Sequence, residues 1–441
     1  MGTAVTTRLY GLGTATPPHS AAQADVGAFM ARVVAAAAER RRGAAEDGES
    51  SGDITGAANG ARPPRSARLI RRLYAESGIA RRHSVLADYT CDDPAAFAFF
   101  PANWALDPFP TTAERMVVYR ESSVDLGAEA ARRALADASI APGDVTHLVI
   151  STCTGFFSPG PDVLLLRRLG LQPTVARTVI GFMGCNAAFN GLRTADDIVR
   201  SNADAVVLQV CVELCSLHFQ RDDTSETLVA NCLFADGASA AVWAADGARP
   251  DGHASLLGTC SAVHDDSLDQ MGWRIGDHGF VMTLTDAVPN TLARAIHPFV
   301  RSLLDRSRTG PDRVAGWAIH PGGRRIVEGI GRALELDEPD LASAYGVLRD
   351  YGNMSSATIF FVLQRELDRL RTGGAAEGDG SPAERDGVVA PVRHGSVGRD
   401  SVGRDAVGRD SVGRDGVGGD IVALGFGPGL SLEGAVLRAT P

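Results

Sequence analysis

Apolar positions along this chain alternate between compact runs and stretches with a longer period. THLVIST (146–152) and DAVVLQVCVE (204–213) are nearly continuous apolar runs of strand length, as expected of strands covered on both faces. SVDLGAEAARRALADASI (123–140) carries a helical pattern instead. VAGWAIH (314–320) followed by RRIVEGIGRALE (324–335) repeats the strand-then-helix theme, and IVALGFGPG (421–429) reads as a strand entering a glycine-rich turn. The alternation predicts an α/β protein with a largely covered sheet, in two similar halves, 1–245 and 246–441. Two segments break the pattern. Residues 41–66 are rich in Gly, Ala, Ser and charge, ending on Pro63–Pro64. Residues 372–420 include SVGRD SVGRD AVGRD SVGRD GVGGD (396–420), whose five-residue period suits neither a helix face nor strand alternation. Both read as surface insertions, and the pentads as a disordered loop.

Composition narrows the function classes. With 441 residues, 44% of them hydrophobic, the chain can bury one large core or two fused ones. A net charge of −10 argues against nucleic acid as a partner, since phosphate binding wants a basic surface. All 43 basic residues are arginine, which excludes lysine Schiff-base chemistry. The seven cysteines, Cys91, Cys153, Cys185, Cys211, Cys215, Cys232 and Cys260, form no zinc spacing and fit a reduced, cytoplasmic protein. No signal peptide and no membrane span is expected.

The candidate chemistry centres on GFMGCNAAFNGLR (181–193). Here the apolar TVI (178–180) enters a Gly-x-x-Gly turn, and Asn186 to Arg193 reads as helix. A cysteine at that junction meets the positive end of the helix dipole and free N–H groups, which favour the thiolate. The plain alternative is a small buried hydrophobe. His320 ends the strand VAGWAIH and is followed by PGG, a placement suited to an imidazole partner. Asn353 lies in DYGNMSSATIFF at a turn opening a helix. Its amide can donate to an oxyanion or simply cap the helix.

GFMGCNAAFNGLR, AIHPGGRRI, YGNMSSA and LGFGPGLSLE occur in this order, and together they resemble the type III polyketide synthases, the chalcone and stilbene synthase-like family of the thiolase superfamily. The resemblance covers about residues 70–371 and 420–440. It implies a layered αβαβα fold and a homodimer. It also implies Cys185 as the acyl-carrying nucleophile, His320 as its ion-pair partner and Asn353 as an oxyanion donor during malonyl-CoA decarboxylation. Acyl-CoA and malonyl-CoA would be substrates, with no cofactor and no metal. Phe234, in NCLFADGASA, matches the family's gatekeeper phenylalanine, and Met282 falls where plant enzymes carry a second one. Trp273 falls near a position that is small in chalcone synthases. Glu213 is retained, while Cys215 and His218 stand where the plant pocket has threonines. Cys153, Thr154, Ser355 and Gly427 would complete the pocket, and Arg68, Arg72, Arg81, Gly322 and Gly323 would meet CoA. These departures from the plant pattern resemble bacterial members that make alkylresorcinols or alkylpyrones from fatty acyl starters. A ketoacyl synthase III-type condensing enzyme shares the Cys/His/Asn set and stays open as an alternative. So does a catalytically silent scaffold subunit.

Overall fold

The computed structural model of the chain describes residues 5–46, 65–372 and 419–440. The first half contributes β1 (Thr7–Ala15), β2 (His19–Ala22), α1 (Gln23–Glu46), α2 (Arg65–Glu76), β3 (Arg81–Ser84), α3 (Thr112–Asp137), β4 (His147–Thr152), α4 (Pro161–Leu169), β5 (Ala176–Gly181), α5 (Ala187–Ser201), β6 (Val206–Leu214), α6 (Ser225–Leu233) and β7 (Asp236–Ala245). There follow β8 (Ala254–Val263), β9 (Met271–Gly276), β10 (Gly279–Leu284), α7 (Val288–Arg306), β11 (Val314–Ile319), α8 (Arg324–Ala333), α9 (Glu338–Tyr351), α10 (Thr358–Arg371), β12 (Asp420–Gly427) and β13 (Ser431–Ala439).

Local chemistry sets several of these boundaries. Thr111 and Glu114 form a reciprocal capping box that starts α3 well before the helical run visible in the sequence. Pro161 opens α4 and Gly170, at φ 68°, closes it. The runs at 146–152 and 204–213 became β4 and β6, and β6 and β7 are buried along almost their whole length.

Nine strands form one sheet in the order β11-β12-β13-β8-β1-β7-β6-β4-β5. A run of pairings repeats within it. From β1, the partners β7, β6 and β4 follow as antiparallel, antiparallel and parallel; from β8, the partners β13, β12 and β11 follow in the same way. The two runs meet through only two residue pairs, Arg8 with Ser255 and Leu9 with Ala254. Helix α3 covers one face of the first run, and α7 covers one face of the second. Helices α5 and α10 touch strands of both runs and form the middle layer. Three hydrophobic clusters fill the spaces between layers, the middle one built around Trp243, Phe189 and Phe360. This is the layered αβαβα arrangement expected of a thiolase-like fold.

The insertions need correcting at their ends. Helix α1 runs through residues 41–46, because an Ala- and Arg-rich stretch is a good helix former. At the other insertion, Asp420 is not loop. It opens β12, is fully buried, and is held by Arg438. The pentads before Gly419 lie outside the described residues.

Candidate active site

Strand β5 delivers the chain into a tight turn, and Cys185 is buried there, two residues before α5. Gly184 adopts φ 85°, and a Cβ on it would fall 2.2 Å from Pro428 Cδ, so only glycine lets the turn close against the end of β12. His320 follows β11, almost fully buried, with both ring nitrogens lacking a protein partner. Asn353 follows α9 and is equally buried. Its Oδ1 accepts the Ser355 N–H at 2.8 Å and its Nδ2 donates to the Gly322 carbonyl at 3.2 Å. These two bonds fix the orientation of the amide and leave one N–H free to donate elsewhere. Gly322 in turn donates to the His320 carbonyl at 3.0 Å. The Cys185 thiol lies within hydrogen-bonding reach of Ser355 and Asn353. Asn353 therefore lies between Cys185 on one side and Gly322, two residues after His320, on the other.

Electrostatics departs from the expected thiolate. Burial, ahead of the hydrogen bonds from Ser355 and Asn353, pushes the Cys185 thiol up to about 11. Burial likewise pulls the His320 imidazole down to about 4. Both shifts favour the neutral forms, because burial removes the water that would stabilise a charge.

A pocket enclosing roughly 780 Å³ of free space, part of it open to solvent, is reached from Asn353 through Phe234, which bridges to Asn353; Cys185, His320 and Asn353 are not themselves among its lining residues. Cys215, His218, Phe234, Trp273 and Met282 line it, as does Phe280, which the sequence reading overlooked. Phe280 and Met282 stand two apart on β10 and therefore share a face, and Met282 pairs across the hairpin with Trp273. The alternation in HGFVMTL was the available signal. Phe280 stacks on His218 at 4.1 Å. His218 accepts the Phe280 N–H at its Nδ1 (2.9 Å) and donates from Nε2 to the Thr154 carbonyl (2.7 Å). Burial holds its imidazole neutral, at about 3. Trp273 Nε1 donates to the Cys153 carbonyl at 2.8 Å. Cys153 and Thr154 thus stand behind the wall made by His218 and Trp273, outside the residues lining the pocket.

Other expectations shift. Glu213 is not among the residues lining this pocket. It is fully buried and accepts from Cys153 N–H, the Thr154 hydroxyl and the Ser356 hydroxyl, yet burial raises its carboxyl to about 7. Gly427 packs on Asn186, whose side-chain atoms would lie 2.6–2.8 Å from any Cβ there, so its role is steric. Gly323 starts α8 against Leu233. Arg68 is exposed, Arg72 pairs with Glu76 at 2.9 Å, and Arg81 donates to the Ser20 hydroxyl. None of these three arginines lines the pocket, whereas the neighbouring Arg82 does. On a strand, consecutive side chains point to opposite faces, so β3 turns Arg82 inward where Arg81 points out. Among the described residues, no cluster of His, Cys, Asp or Glu is arranged to hold a metal, and no helix is long and apolar enough to cross a membrane.

A family model described as chalcone and stilbene synthases, N-terminal domain, matches residues 69–247, and its C-terminal counterpart matches residues 262–389. The chain is 32% identical over 311 residues to the alpha-pyrone synthesis polyketide synthase-like Pks18 of Mycobacterium tuberculosis, covering 69% of this chain and 76% of that protein. It is 28% identical over 367 residues to a 1,3,6,8-tetrahydroxynaphthalene synthase of Streptomyces peucetius subsp. caesius, covering 83% and 86%. The crystal structure of PKS-I from the brown alga Ectocarpus siliculosus superposes with a TM-score of 0.78 at 28% identity, covering 99% of each chain. Four ordered motifs, two matching family models and a relative 32% identical lead to one conclusion: the chain belongs to the chalcone and stilbene synthase family, the type III polyketide synthases.

Proposed function

We propose that the chain is an acyltransferase that loads an acyl group from acyl-CoA onto Cys185, extends it with malonyl-CoA, and releases an alkylpyrone or alkylresorcinol. The observation that carries this reading is the locked Asn353 amide, with one N–H left free beside Cys185 and His320. In loading, His320 takes the Cys185 proton as sulfur attacks the thioester carbonyl, then returns it to the departing CoA thiolate. In extension, the C–CO₂ bond of malonyl-CoA breaks and its electron pair forms an enolate. Asn353 and the one N–H of the neutral His320 imidazole donate to the enolate oxygen, where charge develops. The enolate carbon attacks the Cys185 thioester, and the sulfur leaves as thiolate.

A fatty acyl starter is favoured by the pocket walls. Ala21, Val26, Leu86, Phe219 and the flexible Met282 offer an alkyl chain apolar contact, and Trp273 and His218 line the same pocket. The similarity to a relative named for alpha-pyrone synthesis supports the same class of product. The test is kcat/KM across hexanoyl-, lauroyl- and coumaroyl-CoA with radiolabelled malonyl-CoA, products being identified by mass spectrometry. Aliphatic starters should win. A preference for coumaroyl-CoA would sink the starter assignment, and no ¹⁴CO₂ release at all would sink the catalytic one.

A further inference from the structure

Helix α6 ends on carbonyls that its own turns cannot pair, and every one of them is taken up by a group from elsewhere. The Asn231 carbonyl accepts from the Tyr74 hydroxyl at 3.1 Å and from Arg82 Nη1 at 2.7 Å. Cys232 accepts from Gln23 Nε2 at 2.9 Å, and Leu233 accepts the Asn353 N–H at 3.0 Å. Phe234 accepts from the same Arg82 Nη1 at 2.7 Å. Asn353 closes the loop, because its own carbonyl receives the Ala235 N–H at 2.9 Å. The end of α6 is therefore tied to the gatekeeper Phe234, to Asn353 and to one guanidinium.

Arg82 also packs against Gly352, the residue before Asn353. Gly352 has φ 74°, and a Cβ on it would lie 3.1 and 3.2 Å from Arg82 Cγ and Cδ. The arginine stem fills the space that a side chain before Asn353 would need, and its guanidinium rests 5.5 Å from the Tyr74 ring centre. Arg82 is only 7% exposed, and its Nε and Nη2 are buried without partners. A guanidinium kept out of water with two nitrogens unpaired is a poor device for stability alone. Its single well-used nitrogen does what no apolar side chain can, bridging two carbonyls three residues apart.

We propose that Arg82 is a positioning residue that holds the oxyanion donor Asn353 and the gatekeeper Phe234 in fixed relation. The proposal rests on the roles given to those two residues above. Its chemistry is indirect, so its loss should slow the step that needs the Asn353 N–H and spare the reactivity of Cys185. Arg82→Met should lower kcat for malonyl-CoA decarboxylation about 30-fold, within the roughly 10²–10³ that complete loss of an oxyanion donor costs. KM should change by less than about threefold, since the missing interaction belongs to the transition state. Cys185 alkylation by iodoacetamide should stay within about twofold of wild type. Arg82→Lys, which keeps stem and charge and can reach one carbonyl, should recover about half of the loss on a logarithmic scale. If Arg82→Met does not fold, Arg82→Lys carries the test, with kcat expected about fivefold down. Unchanged kcat in a folded variant overturns the proposal, and so does a parallel fall of kcat and Cys185 alkylation. Asn353→Ala serves as the control. Normal decarboxylation there removes the donor role and this proposal with it. A slow Asn353→Ala beside a normal Arg82→Met removes only this proposal.

Discussion

Burial moves the two partners of the sulfur chemistry in opposite directions, the Cys185 thiol up to about 11 and the His320 imidazole down to about 4. A preformed thiolate–imidazolium pair would react with iodoacetamide at a rate that levels off near neutrality. Here the rate should instead keep climbing from pH 7 to 10, and a plateau would show that the pair exists before substrate arrives. At the pocket, Met282→Phe should reduce the advantage of lauroyl- over hexanoyl-CoA about tenfold, the value of about two buried methylenes. An unchanged ratio of kcat/KM would move the alkyl chain away from β10. The junctions that hold Cys185, His320 and Asn353, each where a strand or helix meets a turn, were legible in the sequence pattern, while the roles given to these residues came from the family resemblance. Glu213 and Gly427 were misread as pocket residues. What occupies them is a set of donors and the Asn186 side chain, brought in from distant segments. The choice between Arg81 and Arg82 depended on which face of β3 is inward, and a four-residue strand has too short a pattern to say.

Among the elements, the β12–β13 hairpin is the one whose influence reaches furthest. Pro428 packs on Gly184, Ser431 receives the Asn186 Nδ2 proton at 2.7 Å, and Glu433 pairs with Arg193 of α5. Gly184→Ala would force both an unfavourable φ and a collision with Pro428. The cost should be about 1–3 kcal/mol, with iodoacetamide capture of Cys185 altered as well. A variant with unchanged melting temperature and capture rate would show that the turn can relax. At the start of the hairpin, Asp420 is buried against Arg438 and Arg313, whose side chains are 40% and 46% exposed. Asp420→Ala should therefore cost nearer about 2 kcal/mol than the 3–5 typical of a fully buried pair, since water can reach the remaining cations. Chemical denaturation measures this directly. The sequence showed β12 as an apolar run but not its first residue, because an aspartate at the end of a glycine-rich pentad looks like loop until its arginine partners are in place.

Across the whole molecule, β5 is the edge of the nine-stranded sheet, and its residues are mostly exposed on both faces. Val179 is 46% exposed, with Met183 and Phe156 similarly bare nearby. An unprotected edge of this kind invites a second copy to pair along it. Light scattering should report a dimer, and Val179→Arg should weaken it; a wild-type monomer would remove β5 from consideration. Stability should also depend on pH in two opposed ways. His320 and His218 have lowered values, so their contribution is complete above about pH 6.5 and is lost on acidification. Glu213 and Asp236, raised by burial to about 7 and about 6, contribute below the ordinary carboxylate range and lose that contribution as pH rises through 6–7. The two effects offset each other between about pH 4.5 and 6, so the melting temperature should be nearly flat there, highest near about pH 6.5 and lower above it, and a maximum below about pH 5 would contradict these assignments.

The hydrogen bond from Asn186 to Ser431 spans 245 positions of sequence. That distance has a meaning in time. At about 5–20 residues per second, a ribosome needs roughly 12–50 seconds after making Cys185 before it makes the residues that brace its turn. During that interval the nascent chain holds a cysteine without its finished surroundings, in a cell that contains acyl thioesters. Under the acyl loading of Cys185 proposed above, chains interrupted before β13 should be inert toward acyl-CoA.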